Sequence, residues 1–121
     1  MESQKRQLEA ELLSNGWRIV EREAVTSEWW ADEIWTIEAV WRPVGFELFL
    51  TFLVDQMQSG SRRPGEEVSS ISCTTLRPQT RAEAMHGPLI FLRPSWERNL
   101  PDFLASLNEI RDRACEEPMT R

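Results

Sequence analysis

Two apolar segments separated by a short turn signal constrain this chain more than any other feature. Residues 33–42 and 46–54 are rich in aliphatic and aromatic side chains, and Pro43-Val44-Gly45 lies between them. Proline presets the first turn angle and glycine adopts the left-handed conformation, so the pattern predicts a β-hairpin with a three-residue loop. Arg42 then pairs with Phe46, and both faces of the hairpin are apolar. Such a hairpin has to be covered on both sides.

The same register sorts the side chains of the hairpin onto two faces. One face carries Ile34, Val40, Phe46, Leu48, Leu50, Phe52 and Val54, and the other carries Trp35, Ile37, Ala39, Trp41, Phe49 and Leu53. The helical segments supply only two good apolar stripes, so we expect a second copy of the chain to cover the remaining face. The predicted dimer face comprises Trp35, Ile37, Trp41, Phe49 and Leu53. The alternative is a monomer in which residues 88–96 fold back over this face.

The rest of the pattern predicts three helices and three further strands. Gly16 is placed as the left-handed residue after a first helix, and Thr80 and Glu83 have the spacing of a capping box. Pro101 suits the first position of a last helix. Helices are therefore expected over residues 4–14, over 81–85 and from Pro101 onward, with strands over 17–25, 68–76 and 89–92.

This element order predicts an α+β fold. We expect an antiparallel sheet of four or five strands, with the N- and C-terminal helices packed on one face. The length of 121 residues predicts a single domain over 1–121. Within it, residues 56–67 are expected to form a long polar loop and residues 116–121 a loose C-terminal tail.

The charge is concentrated in the first half of the chain. Residues 1–60 contain 11 acids and 5 bases, whereas residues 61–121 contain 9 of each. The resulting negative field repels phosphate backbones, so we expect no nucleic-acid partner. The longest apolar stretch is too short for a membrane helix, and the N-terminus lacks the features of a secretory signal. The sequence therefore predicts a cytoplasmic protein without a membrane partner.

The residues that usually carry catalysis are scarce. His86 is the only histidine, and Cys73 and Cys115 are isolated cysteines that we expect to be free thiols. No zinc-ligand spacing, nucleophile turn or phosphate loop is present. Asp32 and Glu33 are adjacent acids, but neighbouring residues of a strand point to opposite faces. We therefore expect no enzymatic activity, no metal and no cofactor, and an enzyme that uses carboxylates is the least favoured hypothesis.

The most unusual segment combines acids with tryptophans. Five of the six tryptophans lie between positions 17 and 41. Indoles are ordinary core residues, but beside acids they also suit cationic ligands or interaction hot spots. Trp29 and Trp30 are neighbours and cannot both point inward from a regular strand. The candidate site for a partner or ligand comprises Glu28, Trp29, Trp30, Asp32 and Glu33.

Two functional classes remain after these exclusions. The first is a non-catalytic protein-interaction or chaperone-like module, a homodimer that binds a basic protein partner through its acidic, tryptophan-rich surface. In length, acidity and element order the chain resembles the small acidic bacterial secretion chaperones, and this resemblance implies a dimeric α+β protein. The alternative is a small-molecule ligand-binding domain with a pocket lined by tryptophan and carboxylate. A cavity beside Trp35 or Trp41, with Asp32 or Glu38 in its wall, would favour that alternative.

Overall fold

Five antiparallel strands form one sheet in the order in which they occur along the chain. The computed structural model describes residues 2–25, 28–54 and 68–116, so the predicted loop 56–67 and residues 117–121 of the predicted tail lie outside it. The elements are α1 (Glu2–Ser14), β1 (Trp17–Ala24), β2 (Ala31–Ala39), β3 (Glu47–Val54), β4 (Val68–Thr74), α2 (Arg81–Ala84), β5 (Leu89–Phe91) and α3 (Trp96–Glu116). The predicted α+β class is confirmed.

Helices α1 and α3 pack together on one face of the sheet, here called the helix face. Leu8 and Leu12 of α1 are fully buried there, as is Leu107 of α3. Each buried side chain of this size contributes about 1.5–3 kcal/mol before entropy is counted. The main core therefore lies between the two long helices and the sheet. The sheet contributes Trp17, Trp35, Ile37, Ala39, Leu48, Leu50, Phe52, Ile71, Cys73 and Ile90 to this core, and Leu92, which follows β5, packs there as well.

The predicted register of the hairpin was wrong. Ala39 donates to the carbonyl oxygen of Phe46 at 2.8 Å, so the loop spans residues 40–45 rather than three residues. Gly45 does adopt the left-handed conformation, at φ 85°. Trp35 is paired with Leu50 instead of lying on the opposite face. The observed register differs from the predicted one by an odd number of residues. Because side chains alternate between the two faces of a strand, this shift places Trp35 and Ile37 of β2 on the helix face.

Helix α3 begins at Trp96, earlier than the predicted start at Pro101. Proline inside a helix removes one backbone hydrogen bond, which normally disfavours an extension on its N-terminal side. Trp96 and Leu100 are buried in the main core, and the Trp96 indole N–H donates to Gln7 Oε1 at 2.9 Å. Tertiary packing of this extra turn therefore outweighs the missing bond.

The second face of the sheet is covered by the connection between β4 and β5. Arg77 follows β4 but forms an ion pair of 2.7 Å with Glu23 on β1, three strands away. The connection must therefore cross this face, and Ile34, Thr51 and Ser72 are buried there. The segment that covers the second face therefore comes before residues 88–96, the stretch that the sequence suggested as an intramolecular cover.

Helix α2 forms the centre of a smaller apolar cluster on the second face. Thr80 Oγ1 accepts from the Glu83 backbone N–H at 3.1 Å, which confirms the capping interaction. Ala84 is buried against Trp30 and Leu53. A short helix with a single buried side chain is enough to close this end of the face.

Candidate functional site

A β-bulge at the start of β2 brings Asp32 and Glu33 to the same place. Ala31 pairs with Leu53 and Glu33 pairs with Phe52, so one extra residue is inserted between them. Both carboxylates approach the ammonium group of Lys5 on α1, at 4.0 Å for Asp32 Oδ2 and 2.8 Å for Glu33 Oε2. Neighbouring acids thus converge where a regular strand would separate them.

The carboxylates of this cluster are engaged by groups of the protein itself. The Trp35 indole N–H donates to the second carboxylate oxygen of Glu33. The Lys5 ammonium also lies 5.2 Å from the centroid of the Phe52 ring. Asp32 is buried. The arrangement fastens α1 to the sheet through a partly buried ion pair, which is a structural role for two of the predicted site residues.

A polar groove of about 360 Å³ lies beside this cluster, between α1 and β1. The Arg22 guanidinium lies 4.7 Å from the centroid of the Trp35 ring and forms an ion pair of 2.9 Å with Glu9 Oε1. Arg6 also lines the groove and has no ion pair with the described residues. The groove is lined by Lys5, Arg6, Glu9, Arg22, Ala24, Glu33 and Trp35. It lies beside Trp35, but its acidic lining residues are Glu9 and Glu33 rather than the predicted Asp32 or Glu38.

The remaining residues of the acidic segment point in different directions. Trp30 is 5 % exposed and packs in the small cluster of the second face, whereas Trp29 is 50 % exposed. Both tryptophans lie in a turn before β2, so the prediction that two neighbours cannot both point inward from a regular strand is not tested by them. Glu28 is exposed as well. The guanidinium of Arg81 lies 6.0 Å from the Trp29 ring centroid. Only Glu28 and Trp29 of the five predicted contact residues are thus open to a macromolecular partner.

The five residues of the predicted dimer face do not share a face. Trp35 and Ile37 lie in the main core beneath the helices. Leu53 is buried in the small cluster on the second face, and Phe49 is partly buried. Trp41 is 57 % exposed but lies beyond the end of β2. The corrected register explains this dispersal, because it exchanges the faces of β2 relative to β3.

The structure places Trp41 against Gly16 and Arg111, two contacts that the sequence did not predict. A Cβ added to Gly16 would come within 2.5 Å of the Trp41 ring, so the indole lies directly on the glycine backbone. The Arg111 guanidinium lies 5.1 Å from the Trp17 centroid and 5.7 Å from the Trp41 centroid. It also donates to the carbonyl oxygen of Asn15 at 2.8 Å. One feature of the sequence could have predicted that Arg111 is buried: it follows Leu107 by four residues and therefore shares the buried stripe of α3.

The thiols and the histidine are not gathered into a site. Cys73 is buried, Cys115 is exposed and both are free, as predicted. Burial raises the pKa of the Cys73 thiol from its ordinary 9.0 to about 12, so this group stays protonated. His86 is exposed. Within residues 2–25, 28–54 and 68–116 no three metal-ligating side chains converge.

None of the helices in the described part of the chain combines the length and hydropathy needed to cross a bilayer. Comparisons with family models, with curated proteins and with solved structures gave no match to this chain.

Proposed function

We propose that the chain is a non-catalytic, chaperone-like protein-interaction module of the cytoplasm, which forms a homodimer and binds a basic protein partner. The proposed contact site is the acidic corner, which we define as Glu28 and Trp29 in the connection between β1 and β2. The observation that carries the proposal is the half-exposed indole of Trp29 beside an exposed carboxylate. Tryptophan is among the residue types that dominate binding energy at protein interfaces.

The surroundings of the acidic corner favour a cationic partner. Glu28, and also Glu21 on the adjoining strand, have no ion pair with the described residues. Unpaired carboxylates attract a basic protein during encounter, and the indole face can then stack against an arginine of that partner. Arg81 already lies on the ring in this way, which supports a second guanidinium as the binding chemistry.

The test uses deca-arginine as a basic probe and measures its affinity by calorimetry at two salt concentrations. Charge reversal in Glu28→Lys and loss of the indole in Trp29→Ala should each weaken binding about threefold to tenfold. The matched control is Asp102→Lys, because Asp102 is an exposed acid on α3 that forms no ion pair within the described part of the chain. That control should change affinity less than about twofold, since only net charge is altered.

Equal losses in Glu28→Lys and Asp102→Lys would contradict the proposed site, because binding would then depend only on total charge. Asp32 and Glu33 are unsuitable for this test. Their replacement by lysine would remove the partners of Lys5 and release α1, so a loss of binding would carry no information about the surface.

A small-molecule ligand-binding domain is the second candidate function, and the groove beside Trp35 favours it. Arg6 supplies hydrogen-bond donors that have no acceptor among the described residues, so the fitting ligand carries an oxyanion. The groove is at the small end of the range for ligand sites, which is about 300–1,000 Å³. A saturable NMR shift of the Arg6 side chain with inorganic phosphate at constant ionic strength, lost in Arg6→Gln, would support this candidate.

A further inference from the structure

Large apolar side chains are exposed together on the loop that joins β2 and β3. Val44 is 75 % exposed and Trp41 is 57 % exposed, and Val40 between them and the sheet is exposed too. We call Val40, Trp41 and Val44 the hairpin surface. Scattered single apolar residues are normal on protein surfaces, but the hairpin surface concentrates three of them within five positions of one loop, as a contact patch would. Such a patch is typical of a protein-protein contact.

The hairpin surface is rigidly supported. The Trp41 indole lies on the backbone of Gly16, within 2.5 Å of where a Cβ would be, and its ring faces the buried guanidinium of Arg111. Val40 donates its backbone N–H to the Gly16 carbonyl oxygen at 2.9 Å. These contacts fix the loop before any partner arrives. A preorganised aromatic residue loses little conformational entropy on binding, which favours association.

Charges of both signs flank the hairpin surface. Arg42 lies within the loop and Glu47 immediately follows it, and both are exposed. Neither forms an ion pair with the described residues. Glu47 is also paired across the ladder with Glu38, and like charges in such positions repel. A partner that places a cation opposite Glu47 and an anion opposite Arg42 would therefore complement these flanks.

We propose that the hairpin surface is the contact between two copies of this chain. In a two-fold contact the same patch faces itself, so Arg42 of each copy can meet Glu47 of the other. A basic protein partner would satisfy Glu47 but would repel Arg42, which is why the second copy is the better occupant. The inference deepens the homodimer of the proposed function and is independent of the basic partner at the acidic corner.

The first experiment compares two equivalent changes of an exposed apolar residue to an acid. Sedimentation equilibrium of the wild type at about 100 μM should give twice the chain mass of 14.2 kDa. Val44→Glu should raise the dissociation constant at least about tenfold, because it places a carboxylate within the apolar contact. Phe91→Glu is the control, since Phe91 is 54 % exposed but lies on β5, far from the hairpin along the sheet.

A charge exchange tests the register of the contact. Arg42→Glu and Glu47→Arg should each weaken the dimer, whereas the double variant should restore it, since the two opposite charges have only changed places. A monomeric wild type, equal effects of Val44→Glu and Phe91→Glu, or a double variant weaker than both single variants would each overturn the inference. None of these outcomes depends on binding of deca-arginine, so a failure here is distinct from a failure of the acidic corner.

Discussion

Replacing Gly16 by alanine tests the support of Trp41 directly. Gly16 has φ 84°, a conformation that costs a residue with a side chain about 1–2 kcal/mol. Its new Cβ would also lie 2.5–2.9 Å from three atoms of the Trp41 ring. Trp41 is largely exposed and can swing away, so the second cost is the loss of its contact with Arg111. Cation–π contacts of this kind contribute about 0.5–2 kcal/mol.

Gly45 provides the matched control for the backbone cost. It has φ 85°, but the nearest atom to a Cβ there is a Glu38 oxygen at 3.8 Å, an ordinary contact. Gly45→Ala should therefore cost only the backbone contribution of about 1–2 kcal/mol, and Gly16→Ala about 1.5–4 kcal/mol in total. The difference between the two variants isolates the Trp41 contact.

The assay is urea unfolding of Gly16→Ala, Trp41→Ala and the double variant. In the Trp41→Ala background the ring is absent, so the added methyl group should cost no more than it does at Gly45. The expected coupling free energy is about 1 kcal/mol. Additive costs in this cycle, or a Gly16→Ala variant as stable as Gly45→Ala, would show that the indole does not lie on Gly16.

Two further predictions concern the core and the attachment of α1. Cys115 should react with Ellman's reagent in the native protein, and both thiols should react in denaturant. Burial raises the pKa of Cys73 from 9.0 to about 12. The free energy of unfolding should therefore fall by up to about 1.4 kcal/mol per pH unit as the pH rises between these two values. Thermal unfolding of Cys73→Ala should lack this extra slope, and its persistence would contradict the assignment. Lys5→Met should cost about 1–3 kcal/mol, because Glu33 is left partly buried without its cation. Adding Glu33→Gln should recover part of that loss, and fully additive costs in urea unfolding would show that the ion pair is not coupled.

Local signals predicted the elements of this fold well. The N-cap bond at Thr80, the left-handed conformations of Gly16 and Gly45 and the free thiols are all as expected. The second bond of the predicted capping box differs, because Glu83 accepts from the backbone N–H of Gln79 and not from that of Thr80. These features depend on residues close in sequence, whose preferences are intrinsic. The spacing of apolar residues likewise identified the helices that pack on the sheet. Fold class was therefore accessible without the structure.

The candidate site depended on longer-range packing and was predicted less well. Trp41 leaves the ladder to reach Gly16 and Arg111, and the hairpin loop becomes longer than its turn residues suggest. The resulting register moved Trp35 into the core. The bulge that unites Asp32 and Glu33 has no marker in local composition either. Each of these differences arises from contacts with residues distant in sequence, which periodicity does not report.

The crossing of the second face by the β4–β5 connection also implies an order of events during folding. Arg77 can meet Glu23 only after the strands between β1 and β4 have paired, because the two residues are far apart in sequence. The closing of this long loop therefore follows formation of the meander. The side chains of this ion pair are partly exposed, so we expect the connection to be weakly protected in the native state. The connection should be the last segment to dock and the first to exchange its amide hydrogens, while the sheet beneath it is still intact.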